Sequence, residues 1–341
     1  VHAMKETTSP YALQVEDLTV HYVLEDETVE AVNNLSFTLE HGKSLGIVGE
    51  TGAGKTTTAL AILRLIPSPP GKVLSGKVTV NNQDVYSASK SELEHIRGNE
   101  VAMIFQDPMT VLNPVYTVGD QIAECIEIHE KCNRFEAKKR AEKMLEMVGI
   151  SAERANDYPH QFSGGMKQRV VIAIALACSP ALLIADEPTT ALDVTIQAQV
   201  LELMKKLKEN IHTALVMITH DLGIVAEVCD EVAVMYAGRI VEHGTLDDIF
   251  RRTQHPYTEG LFNSLPNIYD RKTELKPIPG LMPDPSNLPK GCAFAPRCEY
   301  ATDRCKNERP ELVHQTDTHS VACLRYEEAD FMIERNKKHG R

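Results

Sequence analysis

The stretch GETGAGKTT, Gly49 to Thr57, carries the residue types that surround a polyphosphate. Its glycines (Gly49, Gly52, Gly54), with Glu50, Thr51 and Ala53 between them, let backbone N–H groups turn inward toward anionic oxygens. A helix N-terminus directly after them adds a favourable dipole. Lys55 can reach β- and γ-phosphates, and the Thr56 hydroxyl, followed by Thr57, can bind Mg²⁺. A second pair stands in LLIADEP, Leu182 to Pro188, where Asp186 and Glu187 are adjacent carboxylates at the end of an apolar run. Asp186 is expected to hold magnesium through its water shell. Glu187, one residue on, points differently and can orient an attacking water as general base. Paired carboxylates sometimes only cap a helix, but beside a phosphate loop hydrolysis is the expectation.

These groups need a frame. SLGIVG (Ser44 to Gly49) is apolar without alternation, as in a strand buried on both faces, and it runs straight into the phosphate loop. ALLIA (Ala181 to Ala185) and ALVMI (Ala214 to Ile218) read the same way. Between them Val200, Leu203, Met204 and Leu207 mark one face of a helix. FEAKKRAEKMLEMVG (Phe135 to Gly149) sets Ala141, Leu145 and Val148 at helical spacing among charges, predicting an amphipathic helix. Buried strands alternating with helices imply an α/β domain with a largely parallel sheet. LQVEDLTVHY (Leu13 to Tyr22) and AVNNLSFTLE (Ala31 to Glu40) alternate instead, as half-buried strands do. After Phe250 the texture changes: Lys276 to Gly291 holds five prolines in sixteen residues, which predicts a linker or rigid loop.

Length and charge narrow the class further. A chain of 341 residues can hold one large domain and a smaller one. A net charge of -12 argues against broad nucleic-acid binding, so no nucleic-acid partner is expected. No apolar run approaches the ~20 residues that span a bilayer, and no secretory signal opens the chain. Val1 to Ala3 read as a remnant ahead of a native start at Met4. Any work at a membrane is expected to be peripheral, at its cytoplasmic face.

Just upstream of the carboxylate pair stands FSGGMKQR, Phe162 to Arg169. With the phosphate loop, this resembles the signature motif of ABC transporter ATP-binding subunits. The resemblance implies a P-loop cassette with a RecA-like parallel-sheet core, an antiparallel β-subdomain and a helical subdomain over about 107–175. It implies that Ser163, Gly164 and Gly165 face the γ-phosphate held by a second cassette, so that the ATPase forms when two cassettes close on two nucleotides. Gln106 in IFQDP is similar to the loop that touches Mg²⁺ and water. Asp193 in Ala191 to Asp193 matches the segment at the dimer seam, and His220 in MITHD the switch histidine. Tyr22 matches the aromatic on which adenine stacks. Phe162 and Met166 depart from the usual ends of the signature, and Thr51 from the usual serine, but the phosphate-facing residues are retained.

Domain limits of 4–250 for the cassette and 251–341 for an extension follow. QHPYTEGLFNSLP (Gln254 to Pro266), the proline-rich loop and a cysteine segment resemble the extension of oligopeptide and dipeptide importers. Nickel or other small-solute importers carry related tails, and a soluble non-transport ABC ATPase is the remaining alternative. Implied partners are a second, related cassette in a heterodimer, two transmembrane permease subunits and, indirectly, an extracytoplasmic peptide-binding protein. Cys292, Cys298, Cys305 and Cys323 lack the close pairs typical of zinc sites, in a segment with little to bury. Spacing alone leaves a [4Fe–4S] cluster and Zn²⁺ both open. The importer resemblance favours the cluster; His314 and His319 are the rival ligands, but read first as surface histidines. Cys125, Cys132, Cys178 and Cys229 read as ordinary thiols.

Overall fold

The computed structural model describes residues 9–106, 108–190, 192–265, 275–328 and 330–338. In chain order its strands are β1 (Tyr11–Val23), β2 (Thr28–Glu40), β3 (Ser44–Val48), β4 (Gly71–Val80), β5 (Gln83–Asp84) and β6 (Val101–Ile104). These are followed by β7 (Leu182–Asp186), β8 (Ala214–Thr219), β9 (Glu231–Tyr236), β10 (Arg239–Thr245), β11 (Val313–His314) and β12 (Ser320–Val321). The alternating segments form an antiparallel sheet in the order β2-β1-β4-β5. Leu13, Val15, Leu18 and Val20 of β1 point into its core, and their polar neighbours are more exposed.

The continuous apolar runs form the centre of the second sheet, ordered β11-β12-β10-β9-β3-β8-β7-β6. β3 lies parallel between β8 and β9, and all five of its residues are buried. Leu45, Ile47 and Val48 each contribute about 1.5–3 kcal/mol by burial. In-register parallel pairing brings the carboxyl ends of four strands to one edge: Val48 pairs with Thr219, Asp186 with Ile218, and Ile104 with Ala185. The loops leaving that edge carry every candidate hydrolytic residue.

Three helices, Val118–Glu130, Arg134–Met147 and Gly164–Leu176, pack as a layer in which Ile122, Ile126, Ala141, Leu145 and Val170 share one buried cluster. Thr117, Asn133 and Ser163 cap their N-termini with side-chain oxygens. The helix Val194–Ile211 buries Val200, half-buries Leu203 and buries Met204, as its spacing predicts. The side chain of Leu207 lies outside the described residues, as do Ala191 and the start of the chain through Met4.

The tail is built into the core sheet. β12 pairs antiparallel with β10, and β11 with β12. Glu242 on β10 is fully buried and accepts hydrogen bonds from the backbone N–H of Gln254 (2.6 Å) and His255 (3.1 Å). His319 Nε2 lies 2.9 Å from the same carboxylate. The prolines between 276 and 291 leave that stretch without a regular element, and Pro285 O accepts from Glu30 N–H at 2.8 Å.

Candidate functional site: a phosphate loop and a carboxylate at one sheet edge

The phosphate loop leaves β3 and opens the helix Lys55–Ile62. Gly54, the residue before that helix, is left-handed at φ +99°, and a Cβ there would meet Ala31 O at 2.3 Å. Only glycine fits. Lys55 is buried and donates to the carbonyls of Gly49 (2.7 Å) and Glu50 (3.0 Å). Desolvation holds its pKa below the ordinary lysine value, opposed by the charges of Glu187, Asp186 and Glu50. Thr56 hydrogen-bonds Asp186, whose carboxyl is raised chiefly by burial and secondarily by Glu187.

Glu187 is the first residue beyond β7 and takes a left-handed backbone at φ +46°, a strained state for a non-glycine residue. The turn is held by Glu187 N–H donating to Ile218 O at 2.9 Å. It directs the carboxylate into a ring of donors: Gln106 Nε2 at 3.0 Å, Thr190 Oγ1 at 3.0 Å and His220 Nδ1 at 3.2 Å. Burial alone would raise its pKa. The hydrogen bonds from His220 and Thr190, with the charges of His220 and Lys55, outweigh burial and leave it below the usual value.

Lys55, Thr56, Gln106, Asp186, Glu187 and His220 are therefore brought together by one chain. The signature residues stand elsewhere, at the start of the helix Gly164–Leu176, where the Ser163 side chain accepts from Met166 N–H. A Cβ on Gly164 would meet nothing within 4 Å, so that face is open. Gln168, buried in the same helix, donates to Pro188 O at 2.6 Å and ties the helix to the turn beyond Glu187. Asp193 caps Val194–Ile211 by accepting from Ile196 N–H at 2.9 Å. Tyr22 lies at the end of β1, paired with Val29 and Gly71.

Three residues to which the sequence reading gave no role touch this site. Thr190 is the first. The others belong to the tail: the buried Tyr257 hydroxyl accepts from Glu50 N–H at 2.9 Å, and Arg297 grips the Glu50 carboxylate. The HPYT motif gains a physical explanation here. His255 is held neutral, with burial pushing its pKa down to about 3. Its Nδ1 accepts from Tyr257 N–H, capping a helix whose first residue is Pro256.

Cys292, Cys298, Cys305 and Cys323 line one small cavity of about 20 Å³ with His255 and Phe294. Burial raises the Cys292 thiol and pushes Cys298 and Cys323 up to about 12. Backbone N–H groups of Phe294 and Ala295, Tyr300, and Arg325 hydrogen-bond these three sulfurs respectively and partly offset it. Among the described residues no group of three or more His, Cys, Asp or Glu that could hold a metal ion is formed. A larger cavity of about 510 Å³ lies away from the phosphate loop, between β1–β2, β9–β10 and the tail.

A strand, a glycine loop gripping a lysine, and a paired carboxylate at one sheet edge define a P-loop ATPase cassette. Residues 32–190 match the family model described as ABC transporter, and residues 241–305 that described as Oligopeptide/dipeptide transporter, C-terminal region. The chain is 49% identical over 318 residues to the oligopeptide transport ATP-binding protein AppD of Bacillus subtilis, covering 93% of this chain and 97% of that one. It is 49% identical over 313 residues to the dipeptide transport ATP-binding protein DppD of Escherichia coli, covering 91% and 95%. It also superposes on the dimeric post-hydrolysis structure of the ATP-binding cassette MJ0796 bound to ADP and Pi. There the TM-score is 0.61 and the identity 28%, over 69% of this chain and 98% of that one. The chain belongs to the family of oligopeptide and dipeptide transport ATP-binding proteins.

Proposed function

We propose that this chain hydrolyses ATP to power ABC-type import of oligopeptides or dipeptides. The observation that carries the reading is the ring of donors around Glu187 beside Lys55 and Asp186. The loop N–H groups and Lys55 Nζ, released from its two carbonyls, receive the β- and γ-phosphates. Thr56, Asp186 and Gln106 suit Mg²⁺, since a buried carboxyl with a raised pKa gains most from a neighbouring dication. When bound, Mg²⁺ neutralises charge on the phosphate oxygens. Glu187, ionised at neutral pH, takes a proton from water. The water oxygen bonds the γ-phosphorus, and the bond to the bridging oxygen breaks to leave ADP and phosphate. Gln106 and His220 orient the carboxylate and the water.

The open face at Gly164 supports a second cassette supplying its signature to the phosphate of this one, with Asp193 and the exposed Val194 at the seam. A related but different subunit is the partner we favour. Val115, Tyr116 and Phe135 are exposed apolar side chains on the helical layer, with Phe135 82% accessible, and suit docking of the two permease subunits. Among the described residues no helix is long and apolar enough to cross a membrane, which fits a peripheral site at its cytoplasmic face.

What supports a thiophilic metal centre is that the four cysteines line one cavity, three of them with N–H donors that favour the thiolate, although their side chains as placed do not form a metal-holding group among the described residues. A [4Fe–4S] cluster is the centre we propose, with zinc as the rival. Bound there, it would staple a segment too poor in apolar side chains to fold tightly alone.

Glu187→Gln tests the central reading. Turnover in the assembled transporter should fall by about 10²–10⁴-fold, while MgATP binding and an ATP-bound cassette dimer persist in light scattering. Retained hydrolysis would falsify the assignment of the base.

A further inference from the structure

Glu50 is the second residue of the phosphate loop, and the tail holds it from two sides. Its carboxylate takes a two-pronged ion pair from Arg297, Nη1 to Oε2 at 2.7 Å and Nη2 to Oε1 at 3.1 Å. Its backbone N–H donates to Tyr257 Oη at 2.9 Å. Arg297 is itself fixed: its side chain is 6% exposed, Nε donates to Pro279 O at 2.8 Å, and Nη1 reaches Tyr236 Oη at 3.3 Å. Tyr236 meets Phe294 edge to face and Tyr257 lies tilted against both, with ring centres 4.6–5.4 Å apart. Arg297 sits in the turn Ala295–Arg297, between Cys292 and Cys298.

A buried arginine with both prongs on one carboxylate sets direction as well as attraction. Here the direction set is that of the peptide units flanking Glu50, whose carbonyl also accepts from Lys55. A loop left free must be ordered by the nucleotide, and the cost of ordering appears as lost affinity. An anchored loop avoids that cost.

We propose that Arg297 and Tyr257 are positioning residues for nucleotide binding: the cysteine-bearing tail pre-orders the phosphate loop of the same chain through Glu50. The proposal rests on the nucleotide reading of Gly49–Thr57 and is independent of which metal the cysteines hold. Neither residue touches the reacting atoms, so the effect falls equally on the ground and transition states. KM rises and kcat does not fall.

The test measures MgATP and MgADP affinity of the full chain by calorimetry, and the KM and kcat of the assembled transporter. Arg297→Ala should weaken both nucleotides roughly tenfold or more, the worth of a hydrogen-bonded charge pair, with kcat within about threefold. Arg297→Lys, keeping the charge without the fork, should recover part of the loss, and Tyr257→Phe should weaken binding in the same direction. Should Arg297→Ala fail to fold, Glu50→Gln removes the ion pair from the loop side and should give the same KM shift. Unchanged affinity in the folded variants, or a fall in kcat with KM constant, overturns the proposal. Wild-type protein that binds no MgATP would instead overturn the nucleotide reading.

Discussion

Replacing Thr190 by valine removes one of three donors from Glu187 at nearly constant volume. The Thr190 hydroxyl donates at 3.0 Å to Oε2, the oxygen that also accepts from Gln106. A hydrogen bond to a charged group is worth about 1.5–3 kcal/mol. Two donors remain and the Glu187 side chain is 17% exposed, so the lower end applies. At 1.36 kcal/mol per pKa unit, that is an upward shift of about one unit. In the proposed reaction only ionised Glu187 accepts the proton from water, and its pKa lies below the ordinary value, so wild-type activity should be lost only as pH falls through that lowered value. In the variant the loss begins at higher pH. The assay is the pH profile of kcat for MgATP hydrolysis by the assembled transporter. The acid limb should move up by about one pH unit, with the plateau kept within about threefold and the wild-type limb restored by Thr190→Ser. An unmoved limb would refute the electrostatic account. A plateau lowered a hundredfold would place Thr190 in the chemistry itself.

Gly54→Ala forces a Cβ within 2.3 Å of Ala31 O at a left-handed backbone, so nucleotide binding should be lost, as read by calorimetry. Asp193→Ala removes the cap of the helix Val194–Ile211 and should cost about 1 kcal/mol in denaturant unfolding. Iron, sulfide and zinc analysis of anaerobically purified protein should find about four irons and four sulfides per chain. One zinc and no colour would replace the cluster by a zinc staple.

Local signals carried the reading of the nucleotide site. The glycine loop after an apolar run, and Asp186–Glu187 at the end of another, combine strand, turn and charge within ten residues, so pattern alone located them. The unalternating runs could be told from the alternating β1 and β2 because central parallel strands are covered on both faces. What could not be read depends on distant contacts. Thr190 lies in a stretch that reads as a turn, and its role appears only once Glu187 is turned back by its left-handed backbone. Tyr257 and Arg297 lie 207 and 247 residues from Glu50. HPYT was legible only as part of a resemblance and Arg297 as one charge among many, with nothing local to link either to the phosphate loop. The β9–β10 hairpin escaped notice too, though Ala237–Gly238 between its strands offered a turn signal.

The edge of the central sheet is closed late. β10 ends at Thr245, yet its outer partner β12 begins at Ser320, and Cys323 follows three residues later. On the ribosome, about 80 residues must be added between Arg239 and Cys323. At ~5–20 residues per second that takes roughly 4–16 s. Through that interval β10 presents an unpaired rim, the kind of surface that recruits other strands. The emergence of Ser320–Val321 caps the rim and delivers the fourth thiol in one event. Pairing of the β10 rim and completion of the set of four thiols therefore fall within three residues of one another along the chain.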